Sequence, residues 1–185
     1  EGLALDGVDL SDLTLDATIF ARCSLRGARL IRTSLRAATF DACDLSGACF
    51  YEANLTSASL AGSTLEGADL RRATLDEADL AGTALCGAWI EGATFRAAHL
   101  GECRFAPRAW RGVSFAEADM AEASLTGLDL AGLDLSGADD VDGLRHDLAL
   151  AAAAHGVDVA VSPAGLARRG RRLVVMDVDS TLIQD

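Results

Sequence analysis

Large apolar residues recur at every fifth position of this chain from Leu5 to Leu135, through 27 successive positions without an exception. A smaller residue, most often Ala and otherwise commonly Cys, Thr or Ser, lies two positions before most of them. On an α-helix, residues five apart advance by about 140° and scatter around the axis. In a continuous strand, an odd period sends alternate repeats to opposite faces. The pattern therefore predicts a coiling chain in which an inward pair, small then large, is followed by a corner.

Several repeats begin with Ala, then Asp or Asn, then Leu, as at residues 53–55, 68–70 and 78–80. These motifs resemble the A(D/N)LXX signature of the pentapeptide-repeat proteins, and the resemblance covers residues 3 to about 139. It implies an all-β fold, a right-handed quadrilateral β-helix with four repeats in each coil. The 27 repeats then predict a solenoid of about seven coils over residues 1–140.

Four repeats per coil predict columns of residues twenty apart. One column of bulky residues is Phe20, Phe40, Leu60, Leu80, Leu100 and Met120, and another is Phe50, Leu70, Ile90, Trp110 and Leu130. A column of small residues contains Cys23, Cys43, Ser63, Thr83 and Cys103. We interpret its thiols as small apolar core groups rather than as a metal or redox site, because no His or carboxylate shares the column. The five cysteines also form no CxxC pair, which disfavours a zinc site or a disulfide framework.

One repeat breaks the pattern at Pro107-Arg108-Ala109-Trp110, where Arg108 takes the place of the small inward residue. Proline cannot donate to a strand ladder and is confined to edges and bulges. We expect a local bulge here, with Arg108 turned outward, in preference to a functional site.

The composition is acidic and poor in aromatic residues. The net charge is -12, all 16 basic residues are Arg, and no apolar run is long enough to cross a bilayer. Phosphate binding needs a cationic face, so nucleic acid is not expected as a direct ligand, and neither is a membrane. We expect a soluble, cytoplasmic protein with a basic protein partner.

Asp recurs immediately before the bulky residues, as at Asp9, Asp44, Asp69 and Asp79. Such residues often bond to the backbone of a turn, which is one interpretation. The other is an acidic, rod-shaped surface that imitates duplex DNA, as in the quinolone-resistance members of the resembled family that act on DNA gyrase. The Arg residues around Arg22 to Arg36 count against an unbroken acidic surface.

Residues 1–140 suggest no catalytic set, because His99, His146 and His155 are far apart in sequence and are each interpreted as surface residues. We therefore predict a non-catalytic binding or scaffold module, with a DNA-binding enzyme such as gyrase as one candidate protein partner. This resemblance needs no cofactor.

The five-residue period stops after residue 140. Residues 141–161 predict a helix, Val141 to His155, ended by Gly156, and a short strand from Val157 to Val161. This segment caps the open end of the β-helix, where family members also form homodimer contacts, or is a remnant of a regulatory domain, and the two interpretations are compatible. Residues 162–172 form a basic linker, and 173–185 begin with an apolar strand, Leu173 to Met176.

The sequence from Val175 to Ile183 resembles the first motif of haloacid-dehalogenase-type phosphatases, most closely that of phosphoserine phosphatase. The resemblance implies that Asp177 is the nucleophile and Asp179 the general acid-base, and that both help to hold Mg²⁺. The family's later motifs include a Lys, and this chain contains none. The chain as it stands is thus not expected to be active. The alternative function is a fragment of a fusion whose remaining part is a Mg²⁺-dependent phosphoserine phosphatase of serine biosynthesis.

Overall fold

The computed structural model describes residues 2–106 and 111–120, together with the backbone of two tail strands. The repeats at Trp110, Leu125, Leu130 and Leu135 lie outside these residues, as does the helix predicted for 141–155. The total of about seven coils therefore stays a prediction.

Parallel bridges along the described rod join residues twenty apart, from Ala4 with Ser24 to His99 with Asp119. Because twenty residues are four repeats, each coil has four sides, as predicted. We number the coils in blocks of twenty, so that coil 1 is 1–20 and coil 6 is 101–120. Each face is named after its first bulky residue: the Leu5, Leu10, Leu15 and Phe20 faces.

The corners between faces are turns with one residue in the left-handed region. At one corner the carbonyl of Leu25 accepts a hydrogen bond from the N–H of Ala28 at 3.0 Å. The residue between them at position 27 is a glycine with φ +61°, which costs glycine little. At the equivalent position of another corner, Ala37 adopts φ +53°. The repeat therefore imposes this backbone even on side chains that disfavour it.

The described residues contain six strands. They are β1 (Ile19–Ala21), β2 (Thr39–Asp41), β3 (Ala84–Cys86), β4 (Arg104–Ala106), β5 (Asp158–Ser162) and β6 (Arg172–Met176). In the rod, β1 pairs in parallel with β2 and β3 with β4, each in a register of twenty. In the tail, β5 and β6 pair antiparallel. Both tail strands lie within one residue of the predicted positions.

The predicted columns fill the centre of the rod. Bulky residues such as Leu45 and Leu65 are fully buried. Phe20 stacks on Phe40 with ring centroids 4.9 Å apart and planes 5° from parallel. Identical positions in successive coils thus meet face to face, which confirms a core built by stacking.

The column that contains the cysteines is structural. In coils 3 to 6 its side chain donates to the carbonyl of the bulky residue 23 positions earlier: Ser63 Oγ to Phe40 O at 2.9 Å, and Cys103 Sγ to Leu80 O at 2.9 Å. Burial raises the pKa of the Cys103 thiol to about 12, so the thiolate that redox or metal chemistry needs is disfavoured. The interpretation as core groups agrees with this geometry.

Candidate functional site

The Asp residues before the bulky positions bond to the corner that follows. Asp79 Oδ1 accepts the N–H of Ala81 at 3.1 Å, and Asp44 Oδ1 accepts both the N–H of Ser46 at 3.0 Å and its hydroxyl at 2.6 Å. The Ser46 hydroxyl is the main reason that the pKa of Asp44 lies below its ordinary value. The turn interpretation is thereby confirmed for these positions, although their carboxylates remain partly accessible.

Coils 1 and 2 are held together by charges twenty residues apart. The Arg32 guanidinium donates to both carboxylate oxygens of Asp12, at 2.7 and 2.8 Å, and Arg29 lies 3.7 Å from Asp9. Residues 2–40 contain four Asp and five Arg, a net charge of +1. The Arg residues of this segment therefore neutralise carboxylates of the neighbouring coil. The acidic surface begins further along the rod.

From coil 3 onward, acidic residues concentrate on the Phe20 face and its two corners. The seven are Asp41, Asp76, Glu77, Asp79, Glu102, Glu117 and Asp119. In the described residues of these coils, the same surface contains one Arg, Arg96, so that its net charge is -6. We call this surface the acidic face.

An arginine and a histidine lie within the acidic face. Arg96 is 4.0 Å from Asp76 and 3.6 Å from Glu117. His99 lies between two carboxylates, with Nδ1 3.4 Å from Asp79 and Nε2 3.2 Å from Asp119. The prediction that His99 is a surface residue is confirmed, but its bracketing by two Asp was missed. The spacing of twenty from 79 to 99 to 119 is the signal that could have found it.

The opposite side of the rod, the Leu10 face, contains a cation between two aromatic rings. The Arg71 guanidinium lies 5.8 Å from the ring centre of Tyr51 and 5.7 Å from that of Trp89. Arg71 also donates twice to Asp69, at 2.9 and 2.7 Å. Burial opposes ionisation of Asp69, but the hydrogen bonds from Arg71 prevail and lower its pKa. We call Tyr51, Arg71 and Trp89 the aromatic stripe.

The described residues contain no group of three or more His, Cys, Asp or Glu arranged to hold a metal ion. In the same part of the chain no helix has the length and apolar character of a membrane span. Asp177 and Asp179 lie outside the described residues. The described strand nearest to them in sequence is β6, which ends at Met176, directly before Asp177.

Comparison with known families agrees with the coil geometry. The profile described as "Pentapeptide repeat region" matches residues 1–70, and the profile described as "Pentapeptide repeats (8 copies)" matches 53–88 and 111–139. A trypsin-treated variant of QnrB1, a plasmid-mediated fluoroquinolone resistance protein, superposes with a TM-score of 0.69 at 27% identity, over 82% of this chain and 72% of that chain. Full-length QnrB1 gives a TM-score of 0.55 at 23% identity, over 83% of this chain and 97% of that chain, which supports the fold alone.

A second kind of relative is an enzyme. Phosphoserine phosphatase of Streptomyces coelicolor is 67% identical over 46 residues, which are 25% of this chain and 11% of the enzyme. The match is consistent with the resemblance of the tail to that phosphatase, and the chain spans only about a tenth of the enzyme's length. Since the two repeat profiles together cover most of residues 1–139 and the bridges twenty apart build the four-sided coil, the chain belongs to the pentapeptide-repeat proteins.

Proposed function

We propose that the rod is a non-catalytic protein-binding module whose acidic face binds the basic surface of a DNA-binding enzyme, with DNA gyrase as the candidate partner. The observation that carries the proposal is the segregation of charge. In coils 3 to 6 the described residues give the acidic face a net charge of -6, whereas the opposite Leu10 face and its corners have a net charge of -1.

The density of charge on the acidic face suits a DNA-binding site. Coils 3 to 6 span three strand spacings, which is about 14 Å. The net charge of -6 over that length gives about one charge per 2.4 Å, against ~1.7 Å per charge in duplex DNA. A protein surface that binds phosphates would therefore meet a similar linear density of anions. The likeness to a fluoroquinolone resistance protein supports gyrase as the first partner to test.

The experiment compares two variants with equal changes of charge. One neutralises four residues of the acidic face: Asp76→Asn, Glu77→Gln, Asp79→Asn and Asp119→Asn. The control neutralises four on the Leu10 side: Glu52→Gln, Glu66→Gln, Asp69→Asn and Glu91→Gln. We expect the unchanged chain to inhibit gyrase supercoiling at micromolar concentration, the first variant to lose most of that inhibition, and the control to keep it.

Two outcomes contradict the proposal. Absence of both binding and inhibition by the unchanged chain at micromolar concentration removes gyrase as the partner. Equal losses in the two variants show that net charge, rather than the acidic face, governs the interaction. Circular dichroism of all three proteins verifies that the rod remains folded.

A second candidate function concerns the tail, and the 67% identity to a phosphoserine phosphatase favours it. We propose that the tail is the beginning of a phosphatase domain, with Asp177 as nucleophile and Asp179 as general acid-base. Mg²⁺ would neutralise charge on the phosphoryl group, held by these two residues and by later ligands of the family. In a protein that also carries the later motifs, Asp177→Asn is expected to abolish phosphoserine hydrolysis, and retained turnover would refute the assignment.

A further inference from the structure

We infer that two copies of this chain associate side by side through their Leu10 faces, in antiparallel orientation, with the aromatic stripe at the centre. This surface is separate from the acidic face, on the opposite side of the coil. The inference does not depend on gyrase or on any other partner of the acidic face.

The aromatic stripe has the residue types and the rigidity of an interface centre. Trp, Tyr and Arg are enriched among the residues that dominate binding energy at protein interfaces. Trp89 is 37% exposed, and the other large hydrophobic residues that are exposed in the described rod lie in coil 1. Arg71 is fixed between two rings and by two hydrogen bonds to Asp69, so little side-chain freedom is lost on association.

Charge allows two copies to meet on the Leu10 face. Over the described rod this face and its corners contain seven acidic residues and six Arg. They are Asp6, Asp9, Asp12, Glu52, Glu66, Asp69 and Glu91, with Arg26, Arg29, Arg32, Arg71, Arg72 and Arg111. Two chains of net charge -12 repel least where the local charge is close to zero. Internal pairs such as Arg72 with Glu52 at 3.1 Å limit the number of charges left unpaired on burial.

The order of residues along the rod makes the surface self-complementary. One corner column reads Tyr51, Arg71, Glu91 and Arg111 in coils 3 to 6. In an antiparallel pair whose two-fold axis passes between coils 4 and 5, Arg71 faces Glu91 of the second copy. Tyr51 then faces Arg111 of the second copy, a cation over an aromatic ring. A two-fold interface requires this kind of self-complementarity.

The other corner of the Leu10 face, which it shares with the Leu5 face, lets a second backbone approach closely. It is occupied by glycine in each of coils 1 to 5. A Cβ built on Gly47 or Gly67 would meet no atom within 4 Å, so the ledge beside the stripe is open. Cys86 lies on this corner in coil 5, one coil spacing along the axis from the same residue of the second copy. Cys49, in coil 3, lies three spacings from its equivalent.

Sedimentation velocity of this chain at micromolar concentrations tests the association directly. We expect a dimer whose dissociation constant rises by about tenfold or more in Trp89→Glu, because a charge would be buried at the interface centre. Ile19→Glu, a change at an exposed residue of the Phe20 face, is the matched control and is expected to leave the dimer intact. A chain that stays monomeric across the micromolar range, or a dimer unchanged by Trp89→Glu, overturns the inference.

Cross-linking of cysteines between two copies tests the arrangement independently. A short bis-maleimide is expected to join two copies through Cys86, so that Cys86→Ser abolishes the covalent dimer and Cys49→Ser preserves it. A covalent dimer that survives Cys86→Ser is joined through another thiol, such as Cys49, and refutes the antiparallel Leu10 arrangement. The buried thiols Cys23, Cys43 and Cys103 are not expected to react.

Discussion

The Phe20 and Leu10 faces share one backbone and differ in almost everything that points outward. On both, the inward pair is small and large, and residues twenty apart stack. From coil 3 onward the Phe20 side has seven acidic residues and one Arg, whereas the Leu10 side has four acidic residues and three Arg together with two aromatic rings. The interior repeat thus constrains only two residues in five, and the three outward positions are left for a different surface on each side. One rod can present two unrelated binding surfaces.

The largest effect is expected in the shared core. Phe40 on the inner side of the Phe20 face and Phe50 on the inner side of the Leu10 face are both fully buried. Their rings contact each other edge to face, with centroids 6.4 Å apart. Either Phe→Ala change is expected to lower the free energy of unfolding by about 3–5 kcal/mol. Urea denaturation measures this, and Ile19→Ala, at an exposed residue, is the control. If one Phe→Ala change lowered the free energy of unfolding and the other did not, the two faces would not be built on a common core.

A smaller effect is expected from moving charge between the faces. Asp79→Arg introduces a cation on the acidic face, whereas Asp9→Arg does so on the Leu10 side. The first is expected to weaken binding to a basic partner by about tenfold or more at low salt, with a smaller difference at high salt because exposed charges are screened. Surface plasmon resonance at two salt concentrations measures both variants. Equal weakening by the two substitutions would mean that the faces are electrostatically equivalent.

At the corners of both faces, we expect glycine to be favoured over alanine at the left-handed position, with changes in the free energy of unfolding near ~1 kcal/mol. Ala97, at a corner of the Phe20 face, has φ +54°, and Gly92, at a corner of the Leu10 face, has φ +68°. Ala97→Gly is expected to raise the free energy of unfolding and Gly92→Ala to lower it, each by roughly 1 kcal/mol. Thermal unfolding measures the pair. Changes of the same sign would show that the left-handed corner is not the controlling feature.

The smallest effect expected is a dependence on pH from Asp69 on the Leu10 face. Its pKa is lowered in the folded rod by Arg71, so the stabilisation is present above the ordinary value of 3.8 and is lost as the pH falls through the folded-state pKa. The loss is expected to be under about 1 kcal/mol, because the pair is partly exposed to solvent. Asp69→Asn should remove this part of the acid sensitivity, as measured by urea unfolding between pH 5 and pH 2. An unchanged profile would contradict the pairing with Arg71.

Much of the fold was predictable because the five-residue period is a direct consequence of geometry. Only a chain that bends after each inward pair can bury a bulky residue at every fifth position, and the small column with Cys43 and Ser63 followed from the same count. The tail strands were also predicted to within one residue. Asp177 and Asp179 rest on a motif alone and stay a prediction, as do right-handedness, the helix at 141–155 and the bulge at Pro107.

The sequence by itself determined the coil, the identity of the inward residues and the net acidity, because these depend on local spacing and composition. Only the tertiary structure decided which charges meet. Arg71 lies between Tyr51 and Trp89, twenty residues back and eighteen ahead, and His99 lies between two Asp that are forty residues apart. Coiling converts distance along the chain into contact between neighbouring strands, so the character of each face emerges only when the coils are stacked.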